Sequence, residues 1–490
     1  MKYLLGFDIG SSSVKAALLD IATGKSVAAA FSPAVEMAIA APKPGFAEQD
    51  PEQWWKELIN AMNQLHQQVS FGGKDVAAIG ISYQMHGLVC VDKNLQSLRP
   101  SIIWCDSRAV EIGNKAMAAL GEEFCLQHFL NSPGNFTASK LKWVKDNEPA
   151  VYEKIYKVML PGDYIALKLT GEPATTVSGL SEGILWDFPG KHIATELLKQ
   201  YGIDENLLSA VVPTFGEQGR LSAAAAETLG LAAGIPVSYR AGDQPNNAYS
   251  LNVLQPGEIA ATGGTSGVVY GVTDKVSYDP KSRVNTFVHV NHTEEKPRYG
   301  ILLCVNGTGS LNSWLRKNFY NGASYHDINK EAAAIPVGAE GVQFYPFGNG
   351  AERVLENRDP GARLQGLQFN THNRAHVARA AQEGIVFALC YGTEVMSQMG
   401  MPMGTVRAGY ANMFLSDIFA TTFANTTGCV IELYNTDGAL GAARAAGVGA
   451  GVFSDFAACF SGMEVVKRIE PDKGLMQQTK EAYEQWKSNL

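Results

Sequence analysis

One stretch near the start of the chain predicts the fold: Leu4-Leu5-Gly6-Phe7-Asp8-Ile9-Gly10-Ser11-Ser12-Ser13-Val14-Lys15-Ala16-Ala17-Leu18-Leu19-Asp20. Two apolar runs enclose a Gly-Ser turn, and the first run contains a single carboxylate, Asp8. This pattern is typical of a β-hairpin. Its tip, Gly10–Ser13 (the first hairpin tip), would offer backbone N–H groups and hydroxyls to phosphate oxygens, and Asp8 would hold their magnesium ion.

A second stretch repeats this pattern in the other half of the chain: Ile259-Ala260-Ala261-Thr262-Gly263-Gly264-Thr265-Ser266-Gly267-Val268-Val269-Tyr270-Gly271-Val272-Thr273-Asp274. Its turn, Gly264–Ser266, is the second hairpin tip. Either hairpin alone could be a buried hairpin with a turn of small residues, because Gly and Ser are ordinary turn residues. Two hairpins of one kind favour a duplicated fold with a nucleotide bound between the copies.

Length and composition narrow the class of protein. The 490 residues exceed the roughly 250–300 at which a single core stops growing, so we expect two domains. The net charge of −8 argues against nucleic acid or an anionic membrane as the main partner. Seven cysteines without paired spacing fit a reducing cytosol. Asp8 interrupts the first apolar run too early for a signal peptide, and Gly438 to Phe453 is predicted as a packed helix and loop. We therefore expect a cytoplasmic protein.

Helix and strand patterns alternate in the first half. Asp50-Pro51 is a typical helix start. Apolar runs predict strands at Val76–Ser82, Leu88–Val91 and Ile102–Trp104. The loop Gln84–Gly87 (the His86 loop) connects the first two strands, and polar residues at strand ends are the usual place for a ligand in α/β proteins. His86 is then either a surface residue or part of a site for a small polyhydroxylated molecule.

A short strand near the middle of the chain ends in Gly242-Asp243. Asp243 has two interpretations: a turn acid or helix cap, or a catalytic carboxylate facing an interdomain cleft. The second half continues the alternation, with a long helix predicted at Ala375–Gly400 and a strand leading into Gly409-Tyr410-Ala411-Asn412. The sequence contains no P-loop, no G-x-G-x-x-G run and no H-E-x-x-H run, so other nucleotide and zinc motifs are unsupported.

Together these motifs resemble the FGGY carbohydrate kinases of the sugar-kinase/actin/Hsp70 superfamily, and within them the members that phosphorylate xylulose. The resemblance runs from Asp8 to about Ala446 and rests on both hairpins, Gly242-Asp243-Gln244 and Gln84-Met85-His86-Gly87. It implies an α/β fold of two ribonuclease-H-like domains with a central cleft. Residues 1–243 would bind sugar and carry the first hairpin tip, and residues 244–490 would bind nucleotide and carry the second.

The resemblance also implies an activity and a site. The expected reaction uses Mg²⁺ and transfers the γ-phosphoryl group of ATP to a ketose. The first candidate for this ketose is D-xylulose. Asp243 would be the catalytic base and Asp8 the metal ligand. The sugar would contact Met85, His86, Gly87, Trp104, Asp106 and Gln244. Nucleotide and phosphate would contact Gly10, Ser11, Ser12, Ser13, Lys15, Gly264, Thr265, Ser266, Gly409, Tyr410 and Asn412. Gly409-Tyr410-Ala411 departs from the glycine-rich run that many family members have in this loop. The resemblance is also compatible with a homodimer.

Three alternatives remain at this point. The substrate could be L-ribulose, sedoheptulose, gluconate or glycerol. A non-metabolic ATPase of the superfamily is disfavoured, because no peptide-binding domain follows and the His86 loop would have no role. A sugar-sensing relative without catalysis is disfavoured because both Asp8 and Asp243 are present.

Overall fold

The computed structural model describes residues 2–349 and 353–490. Its strands are β1 (Tyr3–Ile9), β2 (Val14–Asp20), β3 (Ser26–Ser32), β4 (Glu48–Gln49), β5 (Val76–Tyr83), β6 (Val89–Val91), β7 (Ser101–Ile102), β8 (Lys157–Met159), β9 (Ala174–Thr175), β10 (Trp186–Asp187), β11 (His192–Ile193), β12 (Ala210–Val211), β13 (Val237–Gly242), β14 (Ile259–Gly263), β15 (Gly267–Thr273), β16 (Asn285–Val288), β17 (Tyr299–Val305), β18 (Gln343–Phe347), β19 (Gly361–Gln365), β20 (Val406–Gly409), β21 (Ile431–Tyr434) and β22 (Val465–Ile469).

The helices alternate with these strands. They are α1 (Pro51–Gln68), α2 (Val110–Leu120), α3 (Glu122–Phe129), α4 (Thr137–Asn147), α5 (Pro149–Tyr152), α6 (Pro161–Thr170), α7 (Val177–Glu182), α8 (Thr195–Tyr201), α9 (Ala223–Leu229), α10 (Asp243–Ser250), α11 (Gly309–Phe319), α12 (Tyr325–Ala333), α13 (Arg374–Gln398), α14 (Asp417–Thr427), α15 (Gly438–Gly449), α16 (Phe456–Cys459) and α17 (Met476–Ser488). Within the residues described, no helix combines the length and the apolar character needed to cross a bilayer.

The chain forms two compact units. The first contains the chain up to Asn252 together with 287–299 and 436–463, and the second contains 253–286, 300–435 and 464–490. The chain thus returns to the first unit twice after leaving it. The division into sequence domains 1–243 and 244–490 stays a prediction.

A five-stranded sheet of order β13-β5-β1-β2-β3 organises the first unit. The hairpin prediction is confirmed, because β1 pairs with β2 antiparallel and Asp8 lies opposite Lys15. Strands β1, β5 and β13 run parallel. Their carboxyl ends therefore lie at one edge of the sheet, and this edge carries the candidate site.

Helix α15 lies directly against this sheet. Its small residues allow close contact, since any side chain at Gly6 of β1 would overlap the carbonyl oxygen of Ala439. The prediction of a packed helix and loop at 438–453 is confirmed. The close approach brings the first turn of α15 to Asp8.

Helix α1 packs on the first unit as its sequence predicts. The side chain of Asp50 accepts a hydrogen bond from the Glu52 backbone N–H at 3.0 Å, which satisfies one of the otherwise unpaired donors of the first turn. Apolar residues at helical spacing are buried: Trp54, Leu58, Met62 and Leu65. The predicted strand over Ile102–Trp104 is partly wrong, because β7 ends at Ile102. The backbone N–H of Asp106 bonds to the Ile103 carbonyl, which starts a turn and moves Trp104 into a loop.

The second unit repeats the hairpin. Strands β14 and β15 pair antiparallel around the second hairpin tip, with Gly263 opposite Gly267, and β14 runs parallel to β20. The 25-residue helix α13 confirms the long helix predicted from its apolar pattern. Its Ile385, Ala388 and Leu389 lie in the core of this unit.

Candidate active site

Three strand ends meet at one edge of the first sheet. Asp8 of β1 is in register with Ser82 of β5, and Gly242 of β13 is in register with Tyr83. The residues that follow these strands are therefore neighbours: the first hairpin tip, the His86 loop and Asp243. The sequence predicted each of these segments as part of one site.

Asp8 lies between a hydroxyl and a helix start. The Ser82 hydroxyl donates a hydrogen bond to Asp8 Oδ1 at 2.8 Å. A methyl group on Gly438, the first residue of α15, would lie 2.5 Å from Asp8 Oδ2, so only glycine fits beside the carboxylate. Burial raises the pKa of Asp8, the charge of Lys15 and the Ser82 hydrogen bond lower it, and the charge of Asp437 raises it.

Asp243 is the first residue of α10, and Gly242 holds the N-cap position. The alternative in which Asp243 caps this helix is therefore wrong. Burial raises the pKa of Asp243 to about 7, and the negative charge of Asp8 contributes to the rise. Hydrogen bonds from the backbone and side chain of Gln244 act in the opposite direction. A carboxyl with a pKa near neutral is suited to accept a proton.

The carbonyl groups of Ser11, Ser12 and Ser13 in the first hairpin tip accept hydrogen bonds within the first unit. Gln49 donates to the Ser11 carbonyl at 2.7 Å, the Met37 backbone N–H to Ser12 at 2.9 Å, and the Gly10 N–H to Ser13 at 3.0 Å. These bonds hold the tip in place and use the Gly10 N–H as well as the three carbonyls. Lys15 follows the tip, and its side chain is exposed.

The His86 loop packs closely against Gly242, the residue before Asp243. A methyl group on Gly242 would lie 2.6 Å from Met85 Cγ, so the loop reaches the residue that precedes Asp243. His86 Nδ1 donates to the Glu182 carbonyl at 2.9 Å, which leaves Nε2 as the acceptor nitrogen of the neutral ring. The His86 ring packs against Phe136 and Phe287 at centroid distances of 4.9 and 5.3 Å. These contacts favour the interpretation of His86 as a fixed part of a site.

Trp104 and Asp106 follow the short strand β7. The indole N–H of Trp104 donates to the Ser11 hydroxyl at 3.2 Å, and the residue is 37% exposed. Trp104 is one of the sugar-contact residues predicted from sequence, and this hydrogen bond connects it to the first hairpin tip.

Asp106 is fully buried instead. Its carboxylate accepts from the Ala47 backbone N–H at 2.6 Å and from the guanidinium of Arg108 at 2.7–3.0 Å. These bonds favour a role in holding the loop, and a sugar contact by Asp106 stays a prediction.

Sequence reasoning missed three buried residues near this edge. Lys140 and Thr137 on α4 bond to the His86 loop, and Glu182 ends α7 with its side chain against Gly242. Burial raises the pKa of Glu182 well above its usual value, and the charges of Asp243 and Asp163 add to this rise. One signal in the sequence could have indicated Lys140: it is a charged residue within the apolar pattern of a predicted helix, between Ala138 and Leu141.

The second unit brings two predicted nucleotide segments together. The backbone N–H groups of Gly309 and Ser310, at the start of α11, donate to the Gly264 and Thr265 carbonyls at 3.0 and 3.2 Å. A methyl group on Gly264 would lie 4.0 Å from the Asn412 side-chain nitrogen, so the second hairpin tip adjoins the loop after β20. Gly409 ends β20, and Tyr410 is exposed. Contacts of these residues with a nucleotide stay predictions.

The comparisons with known proteins agree with this geometry. The family models for the N-terminal and C-terminal domains of the FGGY family of carbohydrate kinases match residues 3–249 and 259–450. The chain belongs to the FGGY family of carbohydrate kinases. The predicted resemblance is confirmed, and so is the α/β fold of the sugar-kinase type.

Several relatives of this FGGY chain carry one name. A xylulose kinase of Bacillus subtilis (strain 168) is 30% identical over 472 residues, which cover 94% of this chain and 90% of the relative. The crystal structure of a xyloylose kinase from Brucella ovis has a TM-score of 0.88 and 28% identity, and the match covers 99% of this chain and 98% of that one. The xylulose kinase from Rhodospirillum rubrum has a TM-score of 0.86 and 25% identity, with coverage of 99% and 98%.

A separate cluster in the second unit of this FGGY chain resembles a metal site. The ligand atoms of Glu340, His372 and His376 lie within 4.8 Å of one another. However, the Nδ1 atoms of His372 and His376 accept hydrogen bonds from the backbone N–H groups of Gln368 and Asn373. In a neutral imidazole the proton then lies on Nε2, where it blocks coordination by that atom. The cluster is better explained as a hydrogen-bonded helix start, in which His376 Nε2 contacts Glu340 at 3.1 Å.

Proposed function

We propose that this FGGY kinase transfers the γ-phosphoryl group of ATP to the C5 hydroxyl of D-xylulose. The observation that carries the proposal is the placement of Asp243 beside the His86 loop at the edge of the first sheet. This arrangement puts a proton acceptor next to side chains suited to a polyhydroxylated molecule. The xylulose kinases among the relatives support the choice of sugar.

Asp243 would orient the attacking hydroxyl and accept its proton. Phosphoryl transfer proceeds through a loose transition state, so the protein mainly positions the reactants and neutralises charge. Met85, His86, Trp104 and Gln244 would fix the sugar. The backbone N–H groups of the first hairpin tip and the Lys15 ammonium would bind the phosphates.

The residues around Asp8 fit a magnesium ion. Carboxylate and hydroxyl oxygens are the ligands that Mg²⁺ prefers. The charges of Asp437 and Asp8 repel each other, and Asp8 in turn raises the pKa of Asp243, so a divalent cation here would relieve the repulsion. Asp8 would hold the ion, which would supply charge neutralisation for the transferring phosphates.

The second hairpin tip and the loop after β20 would bind the rest of the nucleotide. Gly264, Thr265 and Ser266 present backbone and hydroxyl groups, and Asn412 lies close to Gly264. Gly409 and Tyr410 would contact the adenosine. This assignment extends the observed geometry of the second unit. Its test is the affinity of Asn412→Ala for the nucleotide, which should be weaker than that of the parent.

The substrate proposal predicts which compound the enzyme phosphorylates with the highest efficiency. In a coupled ADP-release assay with xylulose, L-ribulose, sedoheptulose, gluconate and glycerol, we expect xylulose to give the highest kcat/KM. If another of these compounds is phosphorylated tenfold more efficiently, the choice of xylulose is wrong and the kinase assignment stands. If ADP appears at the same rate without any of them, the transfer to sugar is wrong as well.

His86→Ala should impair use of the sugar and spare the nucleotide. The loss of one hydrogen bond to a neutral hydroxyl costs roughly 0.5–1.5 kcal/mol, so the KM for xylulose should rise about two- to tenfold. The apparent KM for ATP should stay within twofold, because His86 is proposed to contact the sugar and not the nucleotide. His192→Ala, an exposed histidine of the same unit, is the control. Unchanged xylulose kinetics in His86→Ala would remove His86 from the site.

The pH dependence should report Asp243. Its pKa of about 7 means that the acceptor is protonated, and inactive, at lower pH. We expect kcat/KM for xylulose to rise tenfold per pH unit below about 7 and to level off above it. Because the charge of Asp8 helps to raise this pKa, the rise should move to lower pH when magnesium is increased. A profile that is flat between pH 5 and 8 would contradict the assignment.

A further inference from the structure

The first turns of α4 lie under both segments that would contact the sugar. The buried residues of this helix include Thr137, Ala138, Leu141 and Val144, which are spaced as one helical face. Lys140 lies among them, and its side chain is fully buried (0% exposed). A charged side chain in such a place is costly unless its donors are satisfied, so its partners indicate its role.

Those partners are backbone carbonyls of the two sugar-contact segments. Lys140 Nζ donates to the His86 carbonyl at 2.9 Å and to the Ile103 carbonyl at 2.9 Å. One turn earlier on the helix, the Thr137 hydroxyl donates to the Gly87 carbonyl at 3.2 Å. Lys140 therefore connects the His86 loop to the segment that leads into Trp104, and Thr137 fixes the end of the His86 loop.

The His86 loop requires such support. His86 has a backbone φ of 61°, in the left-handed region that residues other than glycine rarely occupy. A conformation of this kind persists only where surrounding contacts hold it. The bond from Lys140 to the His86 carbonyl and the packing of the Phe136 ring on the His86 ring both act at this residue.

Charge strengthens the bonds from Lys140. Burial lowers the pKa of Lys140 to about 8, while the negative charge of Asp106 opposes the decrease. The side chain is therefore mainly an ammonium at neutral pH, and its hydrogen bonds are charge-assisted. Asp106 accepts hydrogen bonds from Arg108, and its negative charge favours the protonated form of Lys140.

We propose that Lys140 and Thr137 are positioning residues of the sugar site, which hold the His86 loop and the Ile103–Trp104 segment in the arrangement that the sugar requires. This inference deepens the proposed function and rests on it for its kinetic readout. Neither residue needs to touch the sugar, since each acts through the backbone of residues that would.

Kinetics of Lys140→Met and Thr137→Val test the inference. The loss of charge-assisted bonds should raise the KM for xylulose roughly ten- to a hundredfold in Lys140→Met, and a neutral bond should cost about threefold in Thr137→Val. The apparent KM for ATP should stay within twofold in both. Lys142→Met is the control, because Lys142 is on the same helix and bonds to Asp146 on the outside. Equal KM values for xylulose in all three variants and the parent would overturn the proposal.

Hydrogen exchange separates this inference from the proposed function. Peptides that cover residues 83–87 and 103–106 should exchange at least tenfold faster in Lys140→Met than in Lys142→Met, with or without any sugar. If the parent does not phosphorylate xylulose, the proposed function fails, and this comparison still decides the role of Lys140. If Lys140→Met does not fold, Thr137→Val decides: faster exchange at 84–87 supports the proposal, and unchanged exchange overturns it.

Discussion

Asp243→Asn should lose about 10²- to 10⁴-fold in turnover with xylulose and ATP, the usual contribution of a general base. Asn keeps the shape of the side chain but cannot accept the proton as a carboxylate does, and its amide can turn a donor towards the sugar hydroxyl. Xylulose and ATP should still bind within a few-fold of the parent. Asp20→Asn, at the far end of the first hairpin, should leave turnover unchanged. Turnover of Asp243→Asn within threefold of the parent would remove Asp243 from the chemistry.

The same variant should be more stable than the parent at high pH. The pKa of Asp243 is raised to about 7 in the folded protein from an ordinary value of 3.8, so the folded state retains the proton between these values. Stability therefore falls as pH rises through this window, and the cost is fully present above pH 7. Asp243→Asn removes this cost, which a shift from 3.8 to about 7 puts at roughly 4 kcal/mol at pH 8, and the gain should vanish below pH 4. Thermal unfolding at both pH values measures it. A variant less stable than the parent at pH 8 would indicate that Asp243 has a structural role.

Asp8→Asn should have the second large effect, on the nucleotide. Loss of the carboxylate removes the proposed ligand of magnesium, so the apparent affinity for MgATP should fall about ten- to a hundredfold. Higher magnesium should recover part of this loss, and the KM for xylulose should change little. Asp20→Asn again serves as the control.

Two outcomes would contradict this account of Asp8. One is unchanged affinity for MgATP, which would return Asp8 to a structural role in which it accepts the Ser82 hydrogen bond. The other is a loss that magnesium does not recover and that appears equally in xylulose binding, which would indicate a disturbed sheet edge.

The hairpins and strand ends were predictable because their information is local. Apolar runs on either side of turns of small residues specify β1, β2, β14 and β15. The parallel order of β1, β5 and β13 then places Asp8 and Asp243 at one edge. The start of α1 was predictable for the same reason, because the capping residue Asp50 accepts its hydrogen bond from Glu52, only two residues further along the chain. Resemblance to the FGGY family supplied the roles that local patterns left open.

The supports of the site were not predictable from local patterns. Lys140 and His86 are 54 residues apart in sequence, and no spacing rule connects an ammonium on one helix to a carbonyl in a distant loop. Asp106 was predicted as a sugar contact, which stays a prediction, but no local pattern indicated that its carboxylate bonds to Arg108 and to the Ala47 backbone. Such pairings depend on tertiary packing, which a single sequence does not specify.

The central claim is that the γ-phosphoryl group moves from ATP to the C5 hydroxyl of xylulose. The most direct test is incubation of the protein with ATP, magnesium and xylulose labelled with ¹³C at C5, followed by ³¹P and ¹³C NMR of the products. The account predicts one sugar phosphate for each ADP, with coupling between the phosphorus and the labelled carbon, and none with Asp243→Asn in the same time. ADP together with inorganic phosphate, or a sugar phosphate without coupling to C5, would contradict it.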